Sequence, residues 1–457
     1  MNQGSCGDRV EAEGDAAGAV IVPLSAEQAE EQLLALELFG MRFGLERMGR
    51  LMAALDHPER SFQSIHVVGT NGKSSTTRMT AAILQQHGYR VGSYLSPHLL
   101  SFSERIRVND RDITDERFTA AIARALAAAA IVNQGAPEDD HVTQFELLTA
   151  AAYSELAAQR VEVAVIEAGL GGRYDATNVI PSVVQILTGV NLEHTRWLGS
   201  TITAIAAEKL DVVQPGATLI LGAQMDPEAI AVAAQVAAER DARVIQVEAV
   251  SAVEVGALGT FQRRNFAAAQ AAADAFLGLQ QPPRVLDQSA VLAAAAETRV
   301  PGRLQVIGQE PLTLLDGAHN PDGVAALAES MPQIIAAARN QVGQSEAGPV
   351  VLVVSILEDK DVERMLAGLV GLADVLILTG NQNPRALAPA KLRALAVEAG
   401  SAGSMRSLTV EEPQAALQHA RQLAGPNGVV LATGSIYLIA DLLAAADGGR
   451  PRRASML

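Results

Sequence analysis

From residue 65 onward, short apolar runs alternate with longer stretches whose apolar positions recur at helical spacing. IHVVG, VGSYL, VEVAVIEAG, VVQILTGV and ATLILGA form a first series of such runs. They are rich in aliphatic and β-branched residues and end in glycine or polar residues, as parallel strands buried on both faces do. The helical stretches between them supply the right-handed crossovers that parallel strands need, so the pattern predicts an α/β layered fold. A second series follows Pro301: LQVIG, LTLLDGA, VVLVVSIL, DVLILTG and GVVLATGS. TRVPGRLQ separates the two series and is read as the domain boundary. Ahead of the first series, Ser25 opens a helix through S-A-E-Q, in which Gln28 can return to the Ser25 amide. The helical period of LLALELFGMRFGLERMGRLMAAL is interrupted at Gly40 and Gly44, which predicts two helices with a break between them. Residues 1–24 and 446–457 are read as flexible tails.

Composition narrows the picture. A chain of 457 residues exceeds what one core organises, in keeping with two series of elements. The formal net charge of -16 argues against a general nucleic-acid binder, which needs a basic face, although a local basic pocket is compatible with it. The single cysteine, Cys6, rules out an internal disulfide and fits a reducing cytoplasm. The acidic, glycine-rich start lacks the basic and apolar segments of a signal peptide, and no uncharged run of 18 apolar residues suggests a membrane span.

The chemistry begins at residues 69–75, GTNGKSS, between a predicted strand and a predicted helix. A common phosphate loop reads G-x-x-x-x-G-K-[ST]; here the position of the distant first glycine is Val67. The other requirements are met. Gly69 and Gly72 let backbone amides approach phosphate oxygens, and the following helix offers its positive N-terminus. Lys73 would sit on the β- and γ-phosphates, and Ser74 or Ser75 would offer a hydroxyl to phosphate or metal. An ordinary strand-to-helix turn is the competing reading.

Three further stretches follow predicted strands. Ser96 lies in YLSPHLLSFSERIRVN, Glu167 opens a glycine-rich loop in VIEAGLGGRYDATNV, and His194 lies in LTGVNLEHTRWLGS. Each alone suits a turn, an exposed strand end or a structural histidine. Together, a hydroxyl, a carboxylate and an imidazole at the carboxyl ends of strands would make a Mg²⁺ site. Arg105 and Arg107, alternating on a predicted strand, and Arg385 in QNPRAL would either meet anionic substrates or face solvent.

Taken together, these stretches resemble the folylpolyglutamate synthase/dihydrofolate synthase family of the Mur-ligase superfamily. The resemblance rests on GTNGKSS, LSPHLLSFSERIRVN, EAGLGGRYDATN, EHTRWLG, AAEKLDVV, RRNFAAAQAA, VPGRLQV, LLDGAHNPDG and TGSIYL, in family order across residues 33–443. It implies a P-loop-type parallel-sheet ATPase domain over residues 25–298 and a smaller Rossmann-like glutamate ligase domain over residues 299–445. This family uses a short G-T-N-G-K loop without the distant glycine.

By position, the resemblance implies that Thr70, Asn71, Gly72, Lys73, Ser74 and Ser75 hold ATP phosphates. Asn265, Arg303, Asp316, His319 and Asn320 would complete the nucleotide site. Ser96, Glu167 and His194 match the family's Mg²⁺ ligands, and Lys209 matches a lysine that is carbamylated in the superfamily and supports a second ion. Lys73, Lys209 and His194 are therefore the catalytic candidates. Any role for K⁺ is left open. Thr143, Gln144, Phe145 and Glu146, with Arg173, Tyr174, Asp175 and Ala176, would receive the pterin, with a weaker indication for residues 39–42. Two departures stand out: Ser74 replaces a commoner glycine, and LDVV follows Lys209 in place of the usual Ala-Gly-Ile-type residues.

The implied reaction joins L-glutamate to dihydropteroate, to the γ-carboxyl of reduced folate (poly)glutamates, or to both, through an acyl phosphate. The implied chain is a cytoplasmic monomer with small-molecule partners, no nucleic acid and no membrane. The alternatives are a monofunctional folylpolyglutamate synthase, a Mur-type ligase for another acid, and a non-catalytic ATP-binding protein.

Overall fold

The computed structural model describes residues 25–36, 44–137, 140–248, 250–342, 347–399 and 406–446. Its frame is two sheets. The first comprises β1 (Gln63–Val68), β2 (Val91–Tyr94), β3 (Ile106–Val108), β4 (Arg111–Asp112), β5 (Val163–Glu167), β6 (Val184–Leu187), β7 (Thr218–Leu221) and β8 (Arg243–Gln246). Their order is β4-β3-β2-β5-β1-β6-β7-β8, parallel from β2 to β8, with β3 and β4 added antiparallel at one edge. The second comprises β9 (Gln305–Gln309), β10 (Leu312–Leu315), β11 (Val350–Val354), β12 (Val375–Leu378), β13 (Arg406–Thr409) and β14 (Val429–Thr433). Its order is β13-β12-β11-β14-β10-β9, parallel except for β9. The molecule is thus a two-domain α/β protein.

Side-chain alternation explains why both sheets are covered on both faces. In β5, Val163 and Val165 enter one apolar cluster with Ile65, Val67 and Phe266, while Ala164 and Ile166 enter another with Tyr94 and Tyr153. In β11, Val350, Leu352 and Val354 pack on one side, and Val351 and Val353 on the other. A strand buried on both faces loses the polar/apolar alternation of a half-exposed one, so it reads as a continuous apolar run.

The N-terminal helices follow their local signals. Ala26–Ala35 is closed by the Ser25/Gln28 capping box, with Gln28 N donating to Ser25 Oγ at 3.1 Å and Ser25 N donating to Gln28 Oε1 at 2.9 Å. The next helix is Glu46–Ala54; residues 37–43, which include the predicted break at Gly40, lie outside the described residues. No helix among the described residues is long and apolar enough to cross a membrane.

Candidate active site

The carboxyl ends of the central strands of both sheets face one cavity of about 1600 Å³. The loop after β1 is its floor. Gly69 and Gly72 adopt φ of 146° and 87°, a region that penalises any Cβ. A Cβ on Gly69 would overlap the Thr188 hydroxyl, and one on Gly72 would stand 2.5 Å from Asn265 Oδ1. Backbone conformation therefore favours glycine at both positions, and Asn265 is brought against the loop. Gly72 has no side chain to cap the helix Lys73–Gln86, so the first turn keeps amide donors for an anion. Lys73 Nζ donates to the Gly69 and Thr70 carbonyls at 3.1 and 3.2 Å. Buried Lys209 Nζ donates to the same Gly69 carbonyl at 2.9 Å. Burial, reinforced by the nearby Lys73 charge, pushes Lys209 down to about 7.

Glu167 ends β5 and is buried. Its Oε1 accepts from the Ser74 hydroxyl at 2.8 Å and its Oε2 from the Ser96 amide at 3.1 Å. Burial pushes this carboxyl up to about 7, against the opposing pull of Lys73 and the two hydrogen bonds. His194 lines the same cavity, in left-handed backbone with φ 52°, and burial pushes it down to about 4, so it is neutral and a competent ligand. No three His, Cys, Asp or Glu side chains among the described residues gather as a metal cluster. Ser74, Ser96, Glu167 and His194 all line the cavity, and they carry oxygen and imidazole donors of the kinds a hard divalent ion such as Mg²⁺ accepts.

The second domain closes the cavity. Asp316, at the end of β10, is buried and accepts from the Leu304 and Ala318 amides at 2.9 and 2.8 Å. Burial raises its pKa, and the Arg303 guanidinium pulls the other way. His319 Nδ1 lies 2.9 Å from the Gly317 carbonyl, which fixes the proton on that nitrogen and leaves Nε2 facing the cavity. Asn320 and Asn71 exchange side-chain amide hydrogen bonds of 3.1 and 3.2 Å, joining the phosphate loop to the second domain.

Two charged residues of this cavity were not anticipated from the sequence. Glu193 Oε1 lies 3.7 Å from His319 Nε2, 3.7 Å from Lys360 Nζ and 3.9 Å from His194 Nε2. Burial alone would raise Glu193; the two histidines and Lys360 outweigh it and hold the carboxyl at about 2. The available signal was adjacency: Glu193 directly precedes His194, and Lys360 interrupts the acidic run EDKD. Arg385 also lines the cavity, 3.5 Å from Asp359. Arg105 is buried and donates to His98 Nδ1 at 2.9 Å, while Arg107 pairs with Asp110 and Asp112.

The residues expected to receive the pterin divide. Thr143 and Glu146 form a capping box for the helix Gln144–Ala158, and Arg47 Nε binds both Glu146 oxygens at 3.0 and 2.8 Å. Gln144 donates to the Leu33 carbonyl at 2.7 Å and lies off the cavity wall. Phe145 is the member of this quartet that offers an uncommitted face, and its ring presses close to Gly169. Tyr174, Asp175 and Ala176 line the cavity, whereas Arg173 is off its wall and pairs with Asp211 at 3.3 Å. Lys209 also lies behind the wall. Thr70, Ser74, Ser75, Ser96, Arg303 and Asp316 all line it. Residues 39–42 lie outside the described residues.

The chain is similar to known proteins over most of its length. Residues 302–436 match the family described as Mur ligase, glutamate ligase domain. The dihydrofolate synthase/folylpolyglutamate synthase of Bacillus subtilis is 34% identical over 430 residues, covering 88% of this chain and 95% of that one. A Mycobacterium tuberculosis folylpolyglutamate synthase, solved in complex with ADP and AMPPCP, superposes with a TM-score of 0.81 at 31% identity, covering 93% of this chain and 99% of that one. The Escherichia coli protein FolC in complex with DHPP and ADP gives a TM-score of 0.78 at 26% identity, covering 93% and 98%. This chain belongs to the dihydrofolate synthase/folylpolyglutamate synthase family of ATP-dependent ligases.

Proposed function

We propose that the protein joins the amine of L-glutamate to the carboxylate of dihydropteroate and to the γ-carboxyl of reduced folate (poly)glutamates, in one bifunctional site. The observation that carries this reading is the convergence of Lys73 and Glu167 from the first domain with Arg303, Asp316 and His319 from the second on a single cavity. The relatives support both activities: those from B. subtilis and M. tuberculosis are named for both, whereas that of Lacticaseibacillus casei is named folylpolyglutamate synthase alone.

In the first step a carboxylate oxygen of the acid attacks the γ-phosphorus of ATP and ADP leaves, giving an acyl phosphate. In the second, the glutamate nitrogen attacks the acyl carbon, phosphate leaves and the amine gives up a proton. Lys73 and the amides at the start of its helix neutralise charge on the transferring group, and their work is positioning and electrostatics. Arg303 and Asp316 hold the nucleotide from the second domain. Ser96, Glu167 and His194 would hold Mg²⁺, which when bound neutralises the phosphoryl oxygens. Lys209, at about 7, has a substantial neutral fraction at neutral pH, and only the neutral amine can take up CO₂ to form the carbamate that would support a second ion. Phe145, Tyr174 and Asp175 provide the surface for the pterin. We place the domain boundary at residues 298–299 and read the chain as a cytoplasmic monomer, the lone Cys6 suiting a reducing compartment.

Hydroxylamine trapping tests the mechanism. Protein, ATP, Mg²⁺ and dihydropteroate without glutamate should yield the hydroxamate of the acid with ADP. ADP formation that requires the acid but gives no hydroxamate would rule out a free acyl phosphate.

A further inference from the structure

Behind the pterin surface, Asp175 leads into a buried polar chain whose inner members, Thr177 and His66, the reaction above does not use. Asp175 is buried, yet lines the cavity. Its Oδ2 accepts from the Leu170 amide at 2.7 Å, and its Oδ1 accepts from the Thr177 amide at 3.0 Å. The Thr177 hydroxyl also closes on Oδ1, and on its far side lies His66 Nε2 at 2.9 Å. Thr177 is pinned again through its carbonyl, which accepts from the Tyr153 hydroxyl at 3.0 Å. His66 sits within β1, three residues before Gly69, and is fully buried, as is Thr177.

The chemistry of this chain allows one proton order while Asp175 is ionised. A hydroxyl has one proton to give. Turned toward His66, that proton would leave two oxygens face to face at hydrogen-bond distance with nothing between them. The proton therefore points to Asp175, and Thr177 Oγ accepts from His66 Nε2–H. The imidazole is neutral with its proton on Nε2; among the described residues Nδ1 has no hydrogen-bond partner, and burial holds the ring down at about 3. A buried neutral histidine with an unpartnered nitrogen is costly, which sets it apart from a side chain that merely fills space. Of roughly four lone-pair directions on the Asp175 carboxylate, the described residues occupy two on Oδ1 and one on Oδ2. Because Asp175 lines the cavity, the remaining one can serve a ligand N–H.

We propose that His66 and Thr177 are positioning residues for the acid substrate: the donor chain His66–Thr177–Asp175 locks the carboxylate so that it presents its free acceptor to the N–H edge of the pterin. This rests on the proposed function, because it takes a pterin-bearing acid as the ligand of Asp175. Neither residue touches substrate. Both act through Asp175, so they control affinity for the acid and leave nucleotide handling alone.

The test uses the full-length protein and the substitutions Thr177→Val, Thr177→Ser, His66→Leu and His66→Gln. Serine keeps the hydroxyl, and glutamine can offer an N–H near the place of Nε2–H. Dihydropteroate binding is followed by calorimetry, and KM is measured separately for acid and ATP. Thr177→Val and His66→Leu should weaken acid binding about tenfold or more and raise its KM likewise, with KM for ATP within about twofold. Thr177→Ser and His66→Gln should restore most of the loss. In an Asp175→Asn background, Thr177→Val should add little, because its effect passes through that carboxylate. Equal weakening of acid and ATP, or full additivity with Asp175→Asn, would overturn the proposal in favour of a general packing role. If Thr177→Val fails to fold, His66→Leu decides: its acid-specific loss must largely vanish in the Asp175→Asn background, and a loss that persists there overturns the proposal. Failure of the wild-type protein to bind dihydropteroate at all would instead refute the pterin reading, and so the two failures are distinguishable.

Discussion

Glu167→Gln should separate function from stability in an unusual direction. The Glu167 carboxyl is buried beside Lys73 with two hydrogen bonds, yet its pKa is pushed from the ordinary 4.5 up to about 7. At about 1.4 kcal/mol per tenfold, holding it ionised in the metal-free protein costs about 3 kcal/mol. Glutamine keeps the shape and removes the charge. Its oxygen can take the Ser96 amide, and the Ser74 hydroxyl can turn to accept from the new NH₂, so the exchange of bonds costs about 1 kcal/mol. The variant should then be more stable than wild type by about 2 kcal/mol where the wild-type carboxyl is ionised. The sign follows from linkage: the folded pKa is raised, so the wild-type penalty is absent below about 4.5, grows between 4.5 and 7, and is complete above 7. Denaturant unfolding of metal-free protein at pH 8 and pH 5 reads this. Phosphate release titrated with Mg²⁺ should meanwhile fall about a hundredfold or more and demand more metal. Wild-type magnesium dependence, or a variant that loses more stability at pH 8 than at pH 5, would refute the reasoning.

Lys73→Ala should cut turnover about a hundredfold or more without unfolding the protein, because it removes a charged phosphate contact; near-normal kcat would remove this loop from the reacting phosphates. Lys209→Met should stabilise the protein at pH 7 in CO₂-free buffer, and the gain should vanish by about pH 10.5. Here the folded pKa of about 7 lies below the ordinary 10.5, so the unfolded chain binds more protons between those values and wild-type stability rises with pH across that window. A gain equal at pH 7 and pH 10 would show that the buried charge is not its source. Arg303→Ala should weaken ATP binding about tenfold and reduce the compaction that ATP, Mg²⁺ and the pterin acid produce in small-angle scattering. Normal binding and normal closure in that variant would make the junction a passive linker.

What was legible in the sequence is what a buried parallel strand makes legible. β1, β5, β6, β7, β11, β12 and β14 lie between neighbours and under helices, so each reads as an apolar run. β4, β8 and β13 sit at sheet edges with largely exposed, polar side chains such as Arg111, Arg243 and Arg406, and nothing in RD, RVIQ or RSLT sets them apart from loops. β9 reads as a strand, but its antiparallel pairing with β10 is set by the short turn between them. At the site, the loop's glycines were readable because the left-handed backbone at Gly69 and Gly72 favours glycine. Residues 143–146 show the opposite case. T-Q-F-E is a Thr-x-x-Glu helix start, a signal present in the sequence, and its glutamate is consumed by the cap and by Arg47, nearly a hundred residues away. The pairing of Glu193 with Lys360 and that of Asn71 with Asn320 were out of reach because they form only where two domains meet.

The most direct test of the proposed function offers purified protein, ATP, Mg²⁺ and L-glutamate either dihydropteroate or a reduced folate monoglutamate, with phosphate release and product mass followed together. The account predicts phosphate release with each acid and a product heavier by one glutamyl residue in both cases. Phosphate release and glutamylation with neither acid would contradict it.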